Sequence, residues 1–362
     1  MQKKILRMFL VLALLGIIVA CGNSSDFSTM LKKAEAGDHD AQFVLGLMYY
    51  NGQGVPQDYK KAAQWHARAA AQGVPRAQTS LGFMYANGRG VAQDYKKALQ
   101  WFTRAADQGE ASAQTSLGLM YEYGQGVAQD YRKALEWYSK AADQGEALAQ
   151  YNLGVMYEEG RGVLQDYKKA VQWFARAADQ GDALAQNNLG FMYLNGRGVA
   201  QDYKKAAEWF ARAAEQGEAS AQNNLGAMYK DGQGVAQDYK KAVELFARAA
   251  NQGEAKAQYN LGFMYDKGRG VLQDYKKAVQ WYAKAADQGD AWAQNNLGFL
   301  YLNSLGVPQD YVQAYKWFNL SAAQGLEMAR KNREIVLKEM TPDQIAEGQR
   351  LSREAMERMK RK

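Results

Sequence analysis

The hexapeptide QDYKKA at Gln57–Ala62 returns at Gln93, Gln165, Gln201, Gln237 and Gln273, as QDYRKA at Gln129 and as QDYVQA at Gln309, always in steps of 36 residues. Glycines keep the same step at Gly37, Gly73, Gly109, Gly145, Gly181, Gly217, Gly253, Gly289 and Gly325. Eight units therefore run over 37–324. A period of this length means one supersecondary unit stacked in series, because a single copy cannot bury its own apolar faces.

The unit Gly181–Gln216 shows what each position does. Ala185, Leu189 and Met192 fall on one face of a 3.6-residue period, so Asp182–Leu194 reads as a first helix with Asp182 as its cap. Gly190 lies inside that helix, where glycine costs about 1 kcal/mol relative to alanine, so close approach of a neighbouring helix is expected there. Asn195-Gly196-Arg197-Gly198 breaks the helix. Asp202 caps a second helix running to Gln216, with Tyr203, Ala206, Phe210 and Ala213 as its buried stripe. In QDYKKA, then, Asp caps, Tyr and Ala pack, and the paired lysines face solvent.

Ala185-Gln186, Leu189-Gly190, Tyr193, Gly196, Gly198, Val199, Asp202, Lys205-Ala206, Trp209 and Ala213-Ala214, with their equivalents in the other units, resemble the Sel-one-like repeat family, relatives of the tetratricopeptide repeat with slightly longer units. Two departures are local: Leu245 stands in the Trp position, and Asn303-Ser304-Leu305-Gly306 lacks one loop glycine. The resemblance implies an all-α, right-handed α-solenoid of eight 36-residue helix-turn-helix repeats, with first helices on the concave face and second helices on the convex face. Residues 29–36 are expected to form an N-terminal capping helix. Residues 325–362 read as a degenerate repeat followed by a capping helix, with Thr341-Pro342-Asp343-Gln344 as capping box.

On such an array a partner would meet the first helices at positions that vary between units. Unit position four holds Leu148, Leu184, Lys256 and Trp292, and position eight holds Asn152, Asn188, Asn224, Asn260 and Asn296, with Tyr151 and Tyr259 beside them. A row of carboxamides can engage a peptide backbone, and Tyr and Trp supply apolar anchors. The same asparagines can equally tie adjacent first helices together. Trp292 is singular, since shared packing does not demand Trp in one unit alone. Phe191, Phe263 and Phe299 at position eleven read first as helix packing.

The N-terminus carries Lys3, Lys4 and Arg7, an apolar run from Met8 to Ala20, and then Cys21, the chain's one cysteine. The run falls short of the about 20 residues that span a bilayer. Residues 1–20 read as a signal peptide, Ile18-Val19-Ala20-Cys21 resembles the lipobox of bacterial lipoproteins, and residues 21–28 become a tether from lipidated Cys21. Gly22 after the cysteine favours the periplasmic face of the outer membrane. One cysteine excludes an intramolecular disulfide framework.

The formal charge is +7, of which the leader holds three and the segment from Gly325 another three, so the repeats are close to neutral and nucleic acid is not an expected partner. Two histidines, His39 and His66, occupy different unit positions, and His66 replaces the Phe or Tyr after Trp. No metal-ligand spacing, G-x-S-x-G, H-E-x-x-H or phosphate-binding loop is present, so no catalytic residue, metal or cofactor is expected. These readings converge on a non-catalytic, lipid-anchored scaffold for an envelope protein or peptide. Three alternatives stay open: an immunity or inhibitor protein against an envelope toxin; a β-lactam or cell-wall hydrolase, the activity linked to a cysteine-rich branch whose cysteines this chain lacks; and, with surface display, virulence-associated contact with host proteins.

Overall fold

The computed structural model describes residues 24–360; the leader and Cys21 lie outside them. All regular structure among the described residues is helical. Contacts divide the chain into two compact units, one ending at Gln180 and one starting at Gly181.

In the first unit a helix at Ser24–Glu35 precedes four hairpins: His39–Asn51 with Tyr59–Ala71, Pro75–Asn87 with Tyr95–Asp107, Ala111–Tyr123 with Tyr131–Asp143, and Ala147–Glu159 with Tyr167–Asp179. The leading helix starts at Ser24, inside the stretch expected as a tether, because Phe27, Met30 and Leu31 pack on repeat 1, the Phe27 ring lying 5.9 Å from Tyr49. The second unit pairs Ala183–Asn195 with Tyr203–Glu215, Ala219–Asp231 with Tyr239–Asn251, Ala255–Lys267 with Tyr275–Ala286, and Ala291–Leu302 with Tyr311–Ala323. Helices Glu327–Leu337 and Pro342–Lys360 complete it.

The boundaries follow from the repeated residues. Asp202 accepts from the Lys205 amide at 3.0 Å, and Asp182 accepts from Ala185 at 2.7 Å. The leading Gln of QDYKKA closes the other end of the loop: Gln201 Nε2 donates to the Leu194 carbonyl at 2.8 Å, satisfying a helix C-terminus. Gly196 sits at φ 65°, the left-handed region where glycine carries no Cβ penalty.

Each hairpin is locked by one ring. Phe102, Tyr138, Phe174, Phe210, Phe246, Tyr282 and Phe318 are fully buried against the mid-helix glycine of their own repeat. A Cβ on Gly190 would lie 2.8 Å from Cδ1 of Phe210, so the close approach expected at this glycine is made by a side chain. Buried alanines on the second helix, such as Ala206, Ala213 and Ala214, let the following first helix dock through Ala221, Leu225 and Met228.

Glutamines join repeat to repeat. Gln252 Nε2 donates to Gln222 Oε1 at 2.9 Å, and Gln222 Nε2 donates to the Ala214 carbonyl of the preceding repeat at 3.2 Å. The same relay recurs at Gln78 and Gln108, at Gln258 and Gln288, and at Gln294 and Gln324. At the C-terminal end the capping box forms as expected: the Thr341 amide donates to Gln344 Oε1 at 2.9 Å and the Gln344 amide donates to Thr341 Oγ1 at 3.3 Å. The last helix then lays Gly348 against the Tyr315 ring and buries Ser352 and Ala355, covering repeat 8.

Candidate functional site

The first-helix face of the second unit brings together the residues that vary. Positions four and eleven of one helix are seven residues apart, about 10 Å along the axis, and form two rows. Leu184, Lys256 and Trp292 stand exposed in the first row, continued by Met328 on helix Glu327–Leu337. Phe191 and Phe299 are exposed in the second, with Phe263 half-buried, continued by Ile335. Trp292, Phe299, Met328 and Ile335, on two consecutive first helices, are each close to half exposed.

The stripe between the rows is the asparagine ladder, and much of its capacity is used inside the fold. Asn224 Nδ2 donates to Asn187 Oδ1 at 3.1 Å, and Asn260 Nδ2 donates to Asn223 Oδ1 at 2.8 Å. Asn332 Nδ2 repeats this with Asn295 Oδ1 at 2.9 Å. Asn188 accepts from Asn187 at 3.4 Å, and Asn296 accepts from Asn295 at 3.3 Å. The tie therefore needs a second asparagine at position seven of the preceding repeat. Where that residue is Tyr259, Asn296 Nδ2 turns instead to the Tyr282 hydroxyl at 3.2 Å, with Tyr259 also within hydrogen-bonding reach. Where it is Thr115, whose hydroxyl donates back to Ala111, Asn152 Nδ2 is buried without a partner.

The first unit offers less surface at these positions. Leu148 is buried in a cluster with Leu119, Ala149 and Leu153, Asn152 is buried beside it, and Tyr151 is half-buried with its ring 6.0 Å from Phe174. The sequence-expected row is thus accessible chiefly at Leu184, Lys256 and Trp292, while Asn188, Asn224, Tyr259, Asn260 and Asn296 are half-buried. Met328 and Ile335 escaped the sequence reading because their helix falls in the degenerate repeat, although the step of 36 from Trp292 and Phe299 points to both.

Two buried carboxylates answer a tyrosine in the ring slot. The Tyr138 hydroxyl donates to Glu122 Oε2 at 2.7 Å, and Arg161 of the next repeat lies 3.2 Å from Glu122 Oε1. Burial pushes the Glu122 carboxyl up, opposed by the Tyr138 bond and by Arg161. Burial and the nearby carboxylate push the Tyr138 hydroxyl well above its ordinary range. In repeat 7 the Tyr282 hydroxyl donates to Asp266 Oδ2 at 3.3 Å, and Lys267 lies 3.0 Å from the same carboxylate oxygen. Both clusters fill the interior between helices and tie elements together. His66, in the ring slot of repeat 1, is buried with Nδ1 unpartnered, and burial lowers its pKa to about 4. Among the described residues no group of three or more His, Cys, Asp or Glu side chains is placed to hold a metal ion.

The Sel1 repeat family model matches residues 39–74, 75–110, 111–146, 147–182, 183–218, 219–254, 255–290 and 293–326. A Sel1 repeat protein from Oxalobacter formigenes is 38% identical, with 84% of this chain and 88% of that one covered and a TM-score of 0.61. A protective antigen present in uropathogenic Escherichia coli strains, displaying an SLR fold, is 36% identical over 91% of this chain and 86% of its own, with a TM-score of 0.48. An immunity protein from Pseudomonas aeruginosa is 23% identical over 59% of this chain and 81% of its own, with a TM-score of 0.38. No curated protein matches the chain.

Proposed function

The chain belongs to the Sel1 repeat family, and from that premise we propose that it is a non-catalytic scaffold that takes a protein or peptide partner on the first-helix face of repeats 5 to 8 and of the helix Glu327–Leu337 that follows them. Sel1 repeat proteins are protein-interaction scaffolds. One observation carries the choice of face: Trp292, Phe299, Met328 and Ile335 are exposed at positions four and eleven, where the equivalent Leu148 and Leu119 are buried. Four large apolar side chains exposed on two neighbouring helices mark a surface that a partner covers, and Trp is a strong anchor when covered. Lys256 and the free valences of Asn188, Asn224, Asn260 and Asn296 supply the polar rim. The reading includes lipidation at Cys21 after removal of residues 1–20, which would hold the scaffold in a bacterial envelope, at the periplasmic face of the outer membrane.

The test is affinity recovery from the protein's own envelope fraction, comparing the wild type with Trp292→Ala/Phe299→Ala and with Trp209→Ala on a second helix. A species retained by the wild type and by Trp209→Ala, and lost from the double variant with helicity intact, is the expected result. Equal recovery by all three would overturn the assignment of the face. Blocked lipid labelling in Cys21→Ser tests the anchor separately.

A further inference from the structure

We propose that the loop edge of each unit is a membrane-surface contact, its lysines taking anionic headgroups and one protruding leucine entering the acyl boundary. The edge is defined by packing. A Cβ on Gly126 would lie 2.6 Å from the Tyr95 carbonyl oxygen, and one on Gly162 would lie 2.6 Å from that of Tyr131. In the second unit Gly270 approaches Tyr239 and Gly306 approaches Tyr275 in the same way. These loops thus rest on the start of the preceding repeat's second helix, which sets its Tyr-Lys-Lys beside the loop.

Two features of this edge serve nothing inside the fold. The first concerns charge. Lys60, Lys96, Arg132 and Lys168 in the first unit, and Lys204, Lys240 and Lys276 in the second, are exposed and have no ion-pair partner among the described residues. They sit in the first turn of a helix, where the dipole disfavours a cation, and the same unfavourable choice is made seven times. Their neighbours are occupied internally: Lys133 lies over Tyr121 at 5.3 Å and Lys241 over Tyr229 at 5.2 Å. The N-cap aspartates Asp94, Asp130 and Asp166 share this edge, but each is engaged with first-turn amides of its own helix, so the outward lysines keep their charge.

The second feature is apolar. The loop position held by Ala92, Ala128, Ala200 and Ala236, or by Pro56 and Pro308, is leucine in two repeats. Leu164 is 89% exposed and Leu272 91%, so neither contributes to a core. Each unit carries one such leucine among its lysines. A polyanion such as nucleic acid would use the lysines and gain nothing from the leucines. An anionic bilayer uses both, since basic residues meet the headgroup charge and an apolar tip enters the boundary beneath it. Among the described residues no helix is long and apolar enough to cross a membrane.

The test uses the full chain carrying Cys21→Ser, with an environment-sensitive fluorophore on Leu164→Cys, on Leu272→Cys or, as control, on Asp143→Cys. Vesicles are phosphatidylcholine with or without phosphatidylglycerol. Labels at 164 and 272 are expected to rise severalfold in emission and shift to the blue on the anionic vesicles only. High salt and Lys96→Glu/Lys168→Glu should reverse the change at 164, and the label at 143 should stay constant. Unchanged emission at 164 and 272, or the same change on both vesicle types, overturns the proposal. So does an edge that binds a single-stranded oligonucleotide through the same lysines while both labels stay silent on vesicles.

Discussion

Gly190 and Phe210 share one volume. The glycine is legible in the sequence as a costly residue mid-helix that must be offset by proximity, but the ring that uses the space lies 20 residues on and is seen only in the fold. Gly190→Ala gains about 1 kcal/mol of helix propensity and pushes a Cβ into that ring, so a net loss of about 1–3 kcal/mol is expected in chemical denaturation. His66 occupies the same slot in repeat 1. Burial lowers its pKa from 6.5 to about 4, so the unfolded chain takes the proton first. The stability it contributes is complete above about pH 6.5 and is lost as pH falls towards 4, up to about 3 kcal/mol. His66→Phe should remove that slope, read as the shift in melting temperature between neutral and mildly acid buffer. The asparagines show where residue-level reading stops: their spacing is plain, but the partner of each depends on the residue 37 positions earlier. Thr115→Asn places an acceptor before Asn152 and should stabilise the fold by about 1 kcal/mol.

Caps and breakers made the hairpins legible, because Asp202 and Gly196 act on their immediate neighbours. The leading helix was not legible to the same degree, since its extension to Ser24 rests on Phe27 meeting Tyr49 rather than on a local start signal. The glutamine relay was visible as two invariant positions in every repeat, yet its role needs three helices at once. In Gln222→Leu, Gln252 Nε2 loses its Gln222 acceptor and the Ala214 carbonyl loses its buried donor, so a loss of about 1–3 kcal/mol is expected. Repeat 8 departs from the loop pattern at Ser304, which takes the left-handed conformation at φ 58° where the other repeats have glycine. A side chain there costs about 1–2 kcal/mol. Ser304→Gly should recover much of it as a higher denaturation midpoint; an unchanged midpoint would mean that the Ser304 hydroxyl bond to Val307 offsets the strain.

At the scale of the molecule, the repeats depend on their neighbours and on little else, which is why a period read from the sequence carries so much of the fold. Every tie described above joins a residue to its own repeat or to the adjacent one. The stretch 217–252 can therefore be removed without altering the register of what remains. Joining Gln216 to Gly253 brings Gln258 to the Ala214 carbonyl in place of Ala250, and Asn260 to Asn187 in place of Asn223. Both replacements are chemically the same as the contacts they succeed. The shortened chain should fold with unchanged helicity per residue, a smaller denaturant dependence in proportion to the area removed, and lower stability by one interface. Removing 217–234 alone leaves a second helix without its glycine slot and should give insoluble protein. Trp292, Phe299, Met328 and Ile335 lie beyond the cut and keep their setting. Partner recovery should therefore survive deletion of 217–252 if those four anchor the partner, and fail if it depends on the unbroken length of the first-helix face.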